Sequence, residues 1–105
     1  METLELQGNR LVVHLPSELD HHCTEELRRE IDMAIQREPI QELEFDFSKT
    51  IFMDSAGIGI IIGRYKLMQA LDGKVITSNM SRQIQRVLAL SGIQNYIPLY
   101  EEETV

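Results

Sequence analysis

The chain has no tryptophan, one cysteine, three prolines and only 6% aromatic residues. A single cysteine, Cys23, excludes an internal disulfide and fits a reducing compartment. Basic residues are also short, ten against seventeen acidic, for a net charge of −7. A nucleic-acid or anionic-membrane partner needs a basic footprint, so neither is expected. The longest apolar patch, around Ile58 to Ile62, is far below the ~20 residues that span a bilayer. The first residues, Met-Glu-Thr-Leu-Glu, lack the basic and apolar regions of a signal peptide. The expectation is one soluble cytoplasmic domain over residues 1–105, monomeric when free.

What is present alternates between the two regular periods. Leu4 and Leu6, then Leu11, Val13 and Leu15, alternate with polar or outward positions on either side of Gly8-Asn9. That predicts a hairpin closed by Pro16. Leu27, Ile31, Ala34 and Ile35 lie on one helical face, capped by Asp20 or Thr24 and stopped before Pro39. Leu43, Phe45 and Phe47 alternate with Glu42, Glu44 and Asp46, a strand with one solvated face, which places helices on one side of the sheet. A helix from Ser55 to about Leu71 should bury Ile58, Ile61, Ile62, Tyr65 and Met68. Lys74 to Ser78 reads as a further strand, joined by a right-handed parallel crossover. A third helix follows, capped by Asn79 or Ser81 and ended by Gly92. Tyr96 to Tyr100 is a last strand interrupted by Pro98, and Glu101-Glu102-Glu103 a solvated tail. The class is α/β, a mixed sheet of four to five strands with helices on one face.

The polar residues admit four readings. Asp20-His21-His22-Cys23 holds metal-ligand types, but consecutive residues point apart and no second cluster completes a tetrahedron. No metal or other cofactor is expected. Ser55 lacks the glycine two residues earlier that a nucleophile elbow requires, Met53 standing there, so no catalytic residue and no enzyme is expected. Gly57-x-Gly59-x-x-x-Gly63 misses the dinucleotide fingerprint by one residue, Ile62 filling the third glycine position. The fourth reading is covalent regulation. Ser55 at a helix start would tolerate a phosphate well, against the plain alternative that it caps the helix. Gly57, Gly59 and Gly63 each cost a helix about 1 kcal/mol relative to alanine, and close approach of a partner is one reason to keep them.

Two stretches then carry a resemblance: Glu18-Leu19-Asp20-His21-His22 and Phe52-Met53-Asp54-Ser55-Ala56-Gly57-Ile58-Gly59. They resemble the STAS domain (sulfate transporter and anti-sigma factor antagonist) over nearly the whole chain. The continuation Ile62-Gly63-Arg64-Tyr65-Lys66 is most similar to antagonists of the anti-sigma F factor in sporulation. The resemblance implies that Ser55 is phosphorylated by the anti-sigma F factor, itself a serine kinase. It further implies that the unphosphorylated form binds that kinase and frees sigma F for transcription. A PP2C-type phosphatase, of the stage II sporulation protein E type, restores the active form. Asp20 lies beside the phosphorylation site by the same resemblance. It shares a partner-binding surface with Asp54, Ala56, Gly57, Ile58 and Gly59. Ala56 stands where many relatives have a second serine, which leaves Ser55 the acceptor. A general-stress antagonist or a non-switching scaffold of the same fold are the alternatives.

Overall fold

A computed structural model describes residues 3–95 and the backbone of 100–102. In chain order the elements are β1 (Leu4–Gln7), β2 (Arg10–His14), β3 (Glu18–Leu19), α1 (Thr24–Arg37), β4 (Glu42–Asp46), β5 (Phe52–Met53), α2 (Ser55–Ala70), β6 (Lys74–Ser78), α3 (Arg82–Ser91) and β7 (Tyr100–Glu102). A short 3-10 turn, Ile93–Asn95, follows α3.

The hairpin forms as its alternation predicts. β1 and β2 run antiparallel with Gln7 opposite Arg10, and Gly8 takes φ +63°, the left-handed conformation a two-residue turn asks of its first member. β4, β6 and β7 add parallel to this hairpin, giving the order β1-β2-β4-β6-β7. The mixed sheet therefore has five strands. β3 and β5 form a separate parallel pair. Glu101 and Glu102, expected in a solvated tail, are instead opposite Thr77 and Ser78 in β7. Pro98 and the start of the predicted last strand lie outside the described residues.

One face of the sheet is covered. Leu11, Val13, Leu43, Phe45 and Val75 meet Leu27, Ile31, Ile60, Ile61, Met68, Ile84 and Leu88 from the three helices in one core. The opposite face is more knit than the expected solvated one. Arg10 donates to Glu42 at 3.1 Å and Glu44 at 3.2 Å, and Ser78 donates to Glu44 at 2.6 Å. Val12 and Ile76 are buried among these groups, and so is Asp46.

Helix ends follow capping chemistry with two corrections. Neither Asp20 nor Thr24 caps α1: the N-cap is Cys23, without a side-chain bond, because Asp20 turns back to accept from His22 N. Ser81, not Asn79, caps α3 by accepting from Ile84 N at 3.1 Å. Asn79 instead adopts φ +57° and donates to Asp46. Glu38, before Pro39, is extended as steric exclusion requires, and Gly92 closes α3 at φ +74°. The buried line of α2 is rotated from its prediction. It runs through Gly57, Ile60, Ile61 and Met68, while Ile58, Ile62 and Tyr65 are only partly buried against the core. A helix apolar on most of its circumference has no sharp stripe to read, so tertiary contact decides its face.

Candidate functional site

Two chain segments far apart in sequence are zipped together at one end of the molecule. Ile51 N donates to Ser17 O at 2.8 Å, and Asp54 N to Leu19 O at 3.2 Å. Glu18 pairs with Phe52 and Leu19 with Met53 in the β3–β5 ladder. Thr50 Oγ1 also donates to Pro16 O at 2.9 Å. These bonds lay the Asp20 loop alongside the start of α2.

At that start the cap is Asp54. Its Oδ1 accepts from Ala56 N at 2.9 Å and Gly57 N at 3.2 Å, satisfying two of the donors a helix leaves free. Its Oδ2 accepts from His21 N at 3.2 Å and lies 3.3 Å from His21 Nδ1. Desolvation pushes the Asp54 carboxyl up, but the bonds from His21, Gly57 and Ala56 outweigh it and hold the group below its ordinary value.

Ser55 is the first residue of α2 and is exposed. Because Asp54 serves as cap, the plain alternative for Ser55 falls away, and its hydroxyl has no hydrogen bond among the described residues. Asp20 is partly buried in the loop that His21 ties to Asp54, its Oδ1 accepting from His22 N at 2.9 Å. His21 and His22 contact different carboxylates, Asp54 and Asp20, with their rings 4.0 Å apart.

The glycines divide. Gly57 is buried, and a Cβ there would lie 2.6 Å from Leu19 O and 2.8 Å from Met53 Cγ. Its reason is internal: it lets α2 sit against β3 and β5, so room for another molecule is not what keeps it. A Cβ at Gly59 or Gly63 would meet nothing within 4 Å. Ala56 is half-buried and Ile58 packs partly into the core.

Sequence reasoning missed two features. Ile51 and Phe52 are 63% and 49% exposed, close before Ser55, while Met53 is buried. No period in a three-residue apolar stretch says which side chains turn inward. The second is a groove of about 280 Å³ between α1 and α2, with Arg28 and Arg64 in its lining. No helix among the described residues is long and apolar enough to cross a membrane.

Comparison with known proteins places these features in a lineage. The STAS domain profile matches residues 1–104. The chain is 35% identical to the anti-sigma F factor antagonist of Paenibacillus polymyxa over 95% of this chain and 87% of that one. The solved anti-sigma factor antagonist SpoIIAA in its unphosphorylated form superposes with a TM-score of 0.82 at 30% identity, covering 97% of this chain and 86% of that one. The Bacillus cell fate determinant SpoIIAA in the phosphorylated form gives 0.75 at 30% identity, over 97% and 89%.

Proposed function

The chain belongs to the STAS domain family, and on that premise we propose that it is an anti-sigma factor antagonist switched by phosphorylation of Ser55. The unphosphorylated form binds an anti-sigma F factor, a serine kinase, and so releases sigma F for sporulation transcription in the cytoplasm. The observation that carries the reading is the free hydroxyl of Ser55, exposed at the head of α2 with its capping duty taken by Asp54. A relative described in both unphosphorylated and phosphorylated forms supports it. The protein acts as a substrate and a binding partner rather than as a catalyst.

In the modifying step Ser55 Oγ attacks the γ-phosphorus of kinase-bound ATP, ADP leaves, and the serine proton passes to a base of the kinase. The product carries about −1.5 to −2 added charges at pH 7. The helix dipole favours that charge by about 0.3–2 kcal/mol, and the Asp54 cap does not involve Ser55, so the fold persists. The effect falls on the interface, where Asp20 and Asp54 already supply negative charge. A repulsive or poorly desolvated contact worth about 3 kcal/mol weakens binding roughly a hundredfold. Ala56, Ile58 and Gly59 border the same surface, with Gly59 open for close approach. A PP2C-type phosphatase of the sporulation class removes the phosphate and resets the switch.

Intact-mass measurement after incubation with the kinase and ATP tests this. Ser55→Ala should bind the kinase but gain no phosphate, and Ser55→Asp should bind poorly. Phosphate on Ser48, Ser78 or Ser81 with Ser55 bare would overturn the assignment. Gly59→Leu should keep its circular-dichroism spectrum and lose binding.

A further inference from the structure

On a chain of net charge −7, the groove between α1 and α2 gathers positive charge. Arg28 and Arg64 line it together with Thr24, Ala56, Gly59 and Ile60. The Arg64 side chain is only 11% exposed and sits 3.1 Å from Asp32 Oδ1. Burial lowers the Arg64 pKa, Asp32 opposes that, and the like charge of Arg28 adds to it. Arg28 is exposed and has no carboxylate at ion-pair distance among the described residues. Glu25, also on the rim, is engaged with Arg29 at 3.9 Å. One arginine is thus neutralised at the groove wall and the other is left facing outward.

We propose that this groove receives an acidic side chain of the same kinase that modifies Ser55. The inference rests on the function proposed above and adds a named contact to it. A carboxylate entering over Gly59 meets the Arg28 fork, which suits two parallel hydrogen bonds, and offsets the repulsion between Arg28 and Arg64. The partner's chain passes where a Cβ at Gly59 would have stood, and that space is open. Ser55 lies one helical turn before Gly59. Its phosphate would compete for Arg28 and repel the incoming carboxylate, which links the groove to the switch.

The experiment is equilibrium binding of the full chain and its variants to the cognate anti-sigma F kinase, at low and high salt. Arg28→Glu should weaken binding by about tenfold or more, with the deficit shrinking as salt rises, and Arg28→Lys should recover most of the loss. Arg37→Glu, at the far end of α1 and outside the groove lining, changes the net charge identically and should stay near the unaltered chain. Arg28→Gln gives the same test without a reversed charge, and circular dichroism confirms the fold of each variant. Unchanged binding by Arg28→Glu, or equal weakening by Arg28→Glu and Arg37→Glu, overturns the groove contact alone. Failure of the unaltered, unphosphorylated chain to bind the kinase overturns the proposed function and the groove with it.

Discussion

His21 and Asp54, thirty-three residues apart, share one carboxylate oxygen: Asp54 Oδ2 accepts from His21 N at 3.2 Å and lies 3.3 Å from its ring Nδ1. The other oxygen of Asp54 caps α2. One side chain thus holds the helix head and the neighbouring loop in a single arrangement, and Ser55 is presented on that platform without taking part in it. Fixing the platform while leaving the Ser55 hydroxyl free is what the proposed modification needs if it is not to unfold its carrier.

Removal of Asp54 should therefore act on stability and geometry together. Asp54→Ala strips the cap from Ala56 N and Gly57 N and releases His21, and should lower Tm by roughly 3–8 °C. Asp54→Asn keeps an acceptor oxygen and should fall less. Hydrogen exchange should quicken at Ala56, Gly57 and His21 in Asp54→Ala, and protection unchanged at all three would contradict the shared-carboxylate arrangement.

The glycines of α2 should respond in opposite directions. Gly57→Ala places a methyl 2.6 Å from Leu19 O, a backbone atom held in the β3–β5 ladder, and should cost about 1–3 kcal/mol. Gly59→Ala adds its methyl in open space and should gain about 0.5–1 kcal/mol from helix propensity. Urea unfolding of the two variants reads both signs; a destabilised Gly59→Ala would mean the open space is occupied in solution.

A pH dependence follows from His14, which bridges β1 and β4. Its Nδ1 is 2.8 Å from Asp46 Oδ2 and its Nε2 2.9 Å from Glu5 Oε1, so both ring nitrogens need a proton. The bonds to Glu5 and then Asp46 raise its pKa above the ordinary 6.5, burial opposing. A raised value in the folded state means the contribution is complete below pH 6.5 and fades as pH climbs through that raised value. Asp46 runs the other way. Burial would raise its pKa, but bonds from Asn79, His14 and Ser48 prevail and lower it. Its contribution is present above the ordinary value and lost as pH falls through the lowered one. Urea midpoints between about pH 6 and pH 9 should decline for the natural chain and stay flat for His14→Gln.

The strands were legible because β4 alternates strictly and the hairpin does so apart from Val12, and a one-residue slip would turn Leu43 and Phe45 off the helix-covered face. The Ser55 helix was legible from its length and its stop at Asp72-Gly73, but its orientation was not. Ile58, Ile60, Ile61 and Ile62 are interchangeable to a periodicity argument, and only packing against β6 chooses Ile60 and Ile61 for the core. The resemblance implied that the Asp20 loop lies near Ser55, and what lays that loop along the start of α2 is the β3–β5 pair, two strands of two residues each. Strands so short leave no pattern in a sequence. The meaning of Gly57 was likewise hidden, since a glycine kept for an internal backbone contact and one kept for a partner look alike until the neighbouring strand is in place.

The exposed pair before Ser55 provides the last prediction. Ile51 and Phe52 are 63% and 49% exposed, although Phe52 N is fixed to Ser17 O in the zipped segment. Their side chains contribute little to the core, so Phe52→Ser should shift stability by no more than about 0.5 kcal/mol. An aromatic ring held by a rigid backbone close before Ser55 is well suited to anchor a partner, because little entropy is lost when it is buried. Phe52→Ser should therefore weaken binding of the proposed anti-sigma partner by about 2 kcal/mol, near thirtyfold, chiefly through faster dissociation. The same change at Leu90, 82% exposed on α3, controls for general loss of apolar surface and should leave affinity within about twofold of the natural chain. Equal losses at Phe52 and Leu90, measured by surface plasmon resonance, would assign the effect to surface apolarity at large and remove Phe52 as an anchor.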